Sequence, residues 1–209
     1  MVFVEPLGIE GAWVMTPRQH GDPRGLFLEW FKADLFEQAV GHPFTLAQAN
    51  CSVSSRSTLR GIHFADVPPG QAKYVTCMNG RVLDVVVDLR VGSPTFGQWE
   101  AVELETASRR AVYLSEGLGH GFVALEDAST VAYLCSTAYN PIAEHEVHPF
   151  DEDLRIDWGI SVDEASLSSK DAAAPSLHEA LERGLLPRYQ DCLDRRAGMA
   201  AERGPHTQS

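Results

Sequence analysis

The stretch "STLRGIHF" (57–64) sets Arg60 and His63 among Leu59, Ile62 and Phe64. A cation and a histidine beside an apolar run mark either a strand rim or a reaction centre. Histidine titrates near neutral pH, which suits proton transfer. On a regular strand, positions 60 and 63 point to opposite faces, so a shared site needs Gly61 to bulge or twist the chain. Further on, "GLGHGF" sets His120 between glycines, which let backbone or ligand approach closely. "VAYLCSTAY" puts Tyr133, Cys135, Thr137 and Tyr139 on one face by strand parity. Tyrosines there are either core aromatics with a satisfied hydroxyl or a proton donor and a stacking platform. His63 and His120 lie far apart in sequence, without the close histidine pair and nearby glutamate usual in metal-binding barrels, so no catalytic metal is expected.

These residues must be held by strands. Short apolar or alternating runs occur at 26–31, after the turn signal "GDPRG", and at 44–53, 98–104, 110–114, 120–125 and 130–139. Asn79-Gly80, between "QAKYVTCM" (71–78) and "RVLDVVVDL" (81–89), predicts a two-residue hairpin. In that register Val75 faces Asp84 and Tyr74 faces Val85. Lys73, Val75 and Cys77 then share a face with Val82, Asp84 and Val86, with Lys73 and Asp84 as diagonal neighbours. A lysine and an aspartate on a mostly apolar face are expected to pair, either as a rim ion pair or within a site. Evenly spaced short strands predict an antiparallel sandwich or barrel.

Helix signals are few. "DLFEQAV" (34–40) reads as two turns behind an Asp34 cap. "SLHEALERGLL" (176–186) carries a capping box at Ser176 and Glu179. The last stretch, from Arg195, reads as a frayed tail. No repeat or linker divides the chain. The expectation is one domain over 1–188 and a partly flexible extension over 189–209.

The 209 residues are 44% hydrophobic and 22% charged, ordinary for a globular protein, with a net charge of -12. That sign argues against nucleic acid and anionic membranes as partners, though not against an anionic small molecule held by a few buried cations. The four cysteines form no C-x-x-C pair and read as buried apolar groups in a reducing compartment. With no signal peptide or spanning run in view, the expected location is cytoplasmic.

With these residues assembled, the chain resembles the dTDP-4-dehydrorhamnose 3,5-epimerase family, most of all its actinobacterial members. The resemblance runs from about Gly11 to about Pro187. Its markers are "DPRGLFLEWF", "AQANCSVS", "LRGIHF", "QAKYVTCMNGRVLDVVVDLRVGSPTFGQW", "GLGHGFVAL", "YLCSTAYNP" and "LSSKD", in that order. It implies an all-β, cupin-like antiparallel sandwich or jelly-roll barrel with a few short helices, mainly near the C-terminus. It also implies a cofactor-independent isomerase that inverts carbons 3 and 5 of dTDP-4-dehydro-6-deoxy-D-glucose to give dTDP-4-dehydro-L-rhamnose, the deoxysugar of rhamnose biosynthesis.

By that resemblance His63 is the base, oriented by Asp171, and Tyr133 is the acid on the opposite face. Lys73 stabilises the enolate and Arg60 binds the diphosphate. Gln48 and Asn50 line the nucleotide and sugar pocket, His120, Glu144 and Lys170 add polar contacts, and Tyr139 stacks on the thymine. Arg24 and Glu29 reach the neighbouring subunit's site through strand exchange in a homodimer. The residue types suit the chemistry. The ketone at carbon 4 acidifies its neighbours, the enolate needs a fixed cation or donor, and inversion needs a base and an acid on opposite sides of the ring. No nicotinamide-binding glycine fingerprint is present. A variant that inverts carbon 3 alone has the same catalytic set. From other classes stand a metal-dependent cupin dioxygenase, with metal on His63 and His120, and a non-catalytic sugar-nucleotide binding protein.

Overall fold

The computed structural model describes residues 2–201. Two antiparallel sheets face each other. One has six strands in the order β1 (Phe3–Pro6), β2 (Ala12–Thr16), β10 (Ala111–Leu114), β7 (Lys73–Asn79), β12 (Ser129–Cys135) and β5 (Gln48–Ser54). The other has five, in the order β13 (Glu144–Glu146), β6 (Leu59–Ala65), β11 (Leu118–Ala124), β8 (Arg81–Asp88) and β9 (Trp99–Glu105). A separate ribbon pairs β3 (Gln19–Asp22) with β4 (Gly25–Leu28). This is the expected all-β, cupin-like sandwich.

Three apolar layers follow from strand parity. Val75, Cys77, Val82, Val86, Leu104, Val112 and Val131 fill the space between the sheets. Residues of opposite parity face outward and are covered. Leu59, Ile62, Val85 and Val87 pack under Val147, Leu154, Trp158 and Leu177 of the C-terminal segment. Tyr74 and Tyr113 pack under Phe31, Phe36 and Phe44. Each fully buried side chain of this size contributes about 1.5–3 kcal/mol over leaving it exposed.

The Asn79-Gly80 hairpin is not formed. β7 pairs with β10 and β12, and β8 with β9 and β11, so neither strand has an edge left for the other. The chain turns a corner between sheets instead. Gly80 takes a left-handed φ of 75°, and a Cβ there would meet Ser129 Oγ at 2.7 Å. That hydroxyl accepts from Arg81 N at 3.3 Å and donates to Arg81 O at 3.0 Å, satisfying groups that a hairpin ladder would otherwise bond. The expected inward parity survives the correction. Val75 and Cys77 meet Val82 and Val86 across the interior rather than side by side.

Helix α1 (Ala33–Val40) starts one residue before the expected span. Its N-cap is Lys32, with no side-chain bond, and Asp34 lies inside the first turn rather than capping it. After the short α2 (Ser169–Ala172), α3 (Leu177–Glu182) carries the expected capping box. The stretch expected as a frayed tail is helical as far as Ala201, as the end of α4 (Tyr189–Ala201). The remainder, 202–209, lies outside the described residues. Glu10 receives both the Tyr189 hydroxyl and the Arg196 guanidinium. The Arg90 guanidinium stands 5.1 Å from the Tyr189 ring centroid while bound at 2.8 Å to buried Asp88.

Candidate active site

A cleft of about 290 Å³ opens between the sheets. One wall belongs to the five-stranded sheet: Arg60 and His63 from β6, His120 and Phe122 from β11, Glu144 and Glu146 from β13. The facing wall belongs to the six-stranded sheet: Gln48, Asn50 and Ser52 from β5, Lys73 from β7, Tyr133 from β12. Gln71, Tyr139 and the start of α2 close the ends.

Most of these residues are spaced by two along a strand, as one face requires. Arg60 and His63 are not. Their strand pairs His120 with His63 but Phe122 with Arg60, so three steps on β6 match two on β11. The extra residue is a bulge at Gly61 and Ile62, and it turns both polar side chains to the cleft while Leu59 and Ile62 stay in the outer core. Gly61 is required here. Its φ is 129°, and a Cβ would meet Gly121 Cα at 2.5 Å and His120 O at 2.8 Å.

His63 Nε2 lies 2.6 Å from Asp171 Oδ1. Ser168 donates its hydroxyl to the other oxygen at 2.8 Å and accepts from Asp171 N at 3.0 Å as the N-cap of α2. Burial pushes the Asp171 carboxyl up, but the His63 bond, the imidazole charge and the Ser168 bond outweigh it and hold the group below the usual carboxylate range. An ionised Asp171 only accepts, so neutral His63 carries its proton on Nε2 and leaves the Nδ1 lone pair free. The second histidine has its own carboxylate partner, with His120 Nε2 2.8 Å from Asp84 Oδ2. Asp84 therefore does not pair with Lys73 as expected. The corner at Gly80 puts the two strands in different sheets, and His120 on neighbouring β11 reaches the aspartate.

Lys73 is 9% exposed, and no hydrogen bond or ion pair to its ammonium is found among the described residues. Burial lowers its pKa, partly offset by the charges of Cys135, Glu144 and Asp84. Burial raises the Tyr133 pKa, so the phenol stays protonated. The cleft thus combines an oriented imidazole with a free lone pair on one wall and, on the opposite wall, a protonated phenol and a desolvated cation.

A family model described as dTDP-4-dehydrorhamnose 3,5-epimerase matches residues 6–179. The chain belongs to this family. It is similar to a protein of Streptomyces niveus named dTDP-4-dehydrorhamnose 3-epimerase, with 59% identity over 90% of each chain. It is equally similar to one of Mycolicibacterium smegmatis named dTDP-4-dehydrorhamnose 3,5-epimerase, at 59% identity over 89% of this chain and 91% of the other. Among solved structures, a 3'-monoepimerase from Streptomyces bikiniensis in complex with dTDP-quinovose superposes with a TM-score of 0.91. It is 50% identical, over 94% of this chain and 99% of that one. Family members are isomerases.

In this family member every site residue expected from sequence lines the cleft except Arg24 and Glu29. Arg24 stands on the β3–β4 turn, its side chain 90% exposed and paired with Asp22. Ser52, Phe122 and Glu146 line the cleft without having been foreseen. Each is two residues past a foreseen one, so parity alone carried the signal. Ser168 was legible as a cap three residues before Asp171. Gln71 precedes its strand and had no signal.

Proposed function

We propose that this chain is a dTDP-4-dehydrorhamnose 3,5-epimerase acting on dTDP-4-dehydro-6-deoxy-D-glucose. The observation that carries the reading is that His63 and Tyr133 come from opposite walls of one cleft, with Lys73 also lining it. His63 Nδ1 takes the proton from the carbon beside the ketone, and the electron pair moves onto the keto oxygen. The enolate gives the Lys73 ammonium the partner it lacks among the described residues, so the interaction strengthens as charge develops. Tyr133 delivers its proton to the other face of the carbon, which inverts the centre. Solvent then returns a proton to the phenolate and removes one from the imidazolium. Each positioned acid or base contributes typically 10²–10⁴ in rate.

Arg60 binds the diphosphate. Gln48, Asn50, His120 and Glu144 contact nucleotide and sugar, and Tyr139, 55% exposed at the mouth, stacks on the base. The enzyme works as a homodimer in which Arg24 and Glu29 serve the partner's site. No helix among the described residues is long and apolar enough to cross a membrane, and the cytoplasm is the proposed location.

A second reading, inversion at carbon 3 alone, is supported by the 3-epimerase name of a relative at the same 59% identity. NMR of the product formed in heavy water separates the two. Deuterium at both carbons is expected. Deuterium at carbon 3 only selects the single inversion, and none at either carbon overturns the epimerase reading.

A further inference from the structure

Glu146 is the register partner of His63 across the β13–β6 pair. Residues directly opposite in an antiparallel pair hold their Cβ atoms about 4.5–5.5 Å apart on one face, and both of these line the cleft. Glu146 is ion-paired with Lys170, the residue immediately before Asp171. His63 bonds Asp171. Four residues thus close a ring. His63 and Glu146 are neighbours across two strands, Lys170 and Asp171 are neighbours in the chain, and two charged contacts join the pairs.

We propose that Glu146 and Lys170 are a positioning pair for the base, whose opposite charges balance each other beside the His63–Asp171 dyad on the four-residue α2 and so hold the imidazole in its working protonation range. The family resemblance assigns Lys170 a contact with substrate. In the free chain its ammonium is engaged by Glu146, which also raises its pKa. The inference rests on the reading of His63 as the base.

Charge sets the signs. Glu146→Gln removes a negative charge and leaves the Lys170 ammonium beside the dyad, so the His63 imidazolium is disfavoured and its pKa falls. Lys170→Met leaves the Glu146 carboxylate unbalanced, so the His63 pKa rises. At cleft distances and an effective dielectric well above that of dry protein, each shift is about 0.5–1 pH unit. The double variant returns close to wild type. Other charged or titratable groups also face His63. They are Arg60 on its own strand, His120 with Asp84 from β11 and β8, Glu144 on β13, and Lys73 and Tyr133 from the opposite wall. They are common to all four proteins and cancel in the comparison. Loosening of α2 without the electrostatic effect would weaken the Asp171 bond in both single variants and lower the pKa in both.

The test is an NMR titration of the His63 imidazole in the full chain, identified by its absence in His63→Asn. It is run on wild type, both single variants and the double, and followed by kcat and KM for proton exchange into the 4-keto sugar nucleotide in heavy water. Opposite shifts in the singles, restoration in the double and a roughly tenfold loss of kcat at little-changed KM are expected. The Lys170 side chain is 53% exposed, so the pair adds little to global stability and Tm should stay nearly constant. Shifts of the same sign, no shift, or a Lys170→Met variant that raises KM at unchanged kcat would overturn the proposal. If the titrations behave as expected but wild type exchanges no proton, the positioning pair stands and the epimerase reading falls.

Discussion

Lys73 combines a stability cost with the catalytic role proposed for it. Its ammonium is buried without a partner among the described residues, and a buried charge in that state destabilises the fold unless something compensates. In the proposed reaction the enolate is such a compensation, present only during turnover. Lys73→Met keeps the length and apolar stem while removing the charge. It should stabilise the free protein by about 1–2 kcal/mol, or roughly 2–8 °C in Tm, and lower kcat by about 10²–10³. The pH dependence has a definite sign. Lys73 titrates lower in the folded chain than the unfolded value of about 10.4, so between the two the unfolded state holds more protons and wild-type stability rises with pH. The cost is fully present below the folded pKa and has vanished above the unfolded one. Tyrosines raised by burial slope the other way, but equally in both proteins. The difference between wild-type and Lys73→Met unfolding curves, measured in denaturant from pH 7 to 11, should therefore shrink as pH rises. A constant difference would mean that the destabilisation does not come from the charge.

The bulge on β6 is what lets residues of the wrong parity share a cleft, and it depends on one glycine. In Gly61→Ala the new methyl meets backbone atoms that cannot swing away, at a left-handed φ. The cost should exceed about 2 kcal/mol, or roughly 4–8 °C in Tm, read by thermal unfolding. Activity should fall further than stability, because any relief of the clash moves Arg60 relative to His63. This element was half legible in the sequence. Parity showed that Arg60 and His63 conflict on a regular strand, and Gly61 was the available bend. The capping box, the inward faces and most strands from β4 to β12 were likewise readable from alternation and turn residues, which are local signals, whereas β1, β2, β3 and β13 were not expected. The Asn79-Gly80 hairpin was misread because the dipeptide reports a tight reversal and says nothing about which strands occupy the edges on either side. The expected Lys73–Asp84 pairing was lost for the same reason. A long-range neighbour, His120, takes Asp84, and nothing near 84 in the sequence announces it. The end of α4 was missed because its polar, glycine-containing stretch is tied through Arg196 to Glu10, which is remote in the chain.

At the scale of the whole molecule, the cleft of one chain lacks Arg24 and Glu29, and the β3–β4 ribbon that bears Arg24 exposes Leu26 at 47% and Phe27 at 67%. Exposed apolar groups on a projecting ribbon are suited to burial against another surface. The proposed homodimer uses that ribbon to complete the partner's site, and the two subunits can be told apart by crippling different residues in each. An Arg24→Ala dimer lacks the residue in both sites, and a His63→Ala dimer has no base in either. A hybrid of the two has one complete site, because the chain that keeps His63 receives Arg24 from its partner. Random exchange makes half the dimers hybrids, each with one working site of two, so mixing equal amounts should recover about a quarter of wild-type turnover when substrate is below KM. Brief partial denaturation and refolding of the mixture would supply the exchange, with each variant treated alone as the control. If Arg24 served its own chain, every His63-bearing site in the mixture would still lack it, and the mixture would do no better than the average of its parts. A monomer by light scattering would give the same result for a different reason, so the oligomeric state must be measured on the same sample.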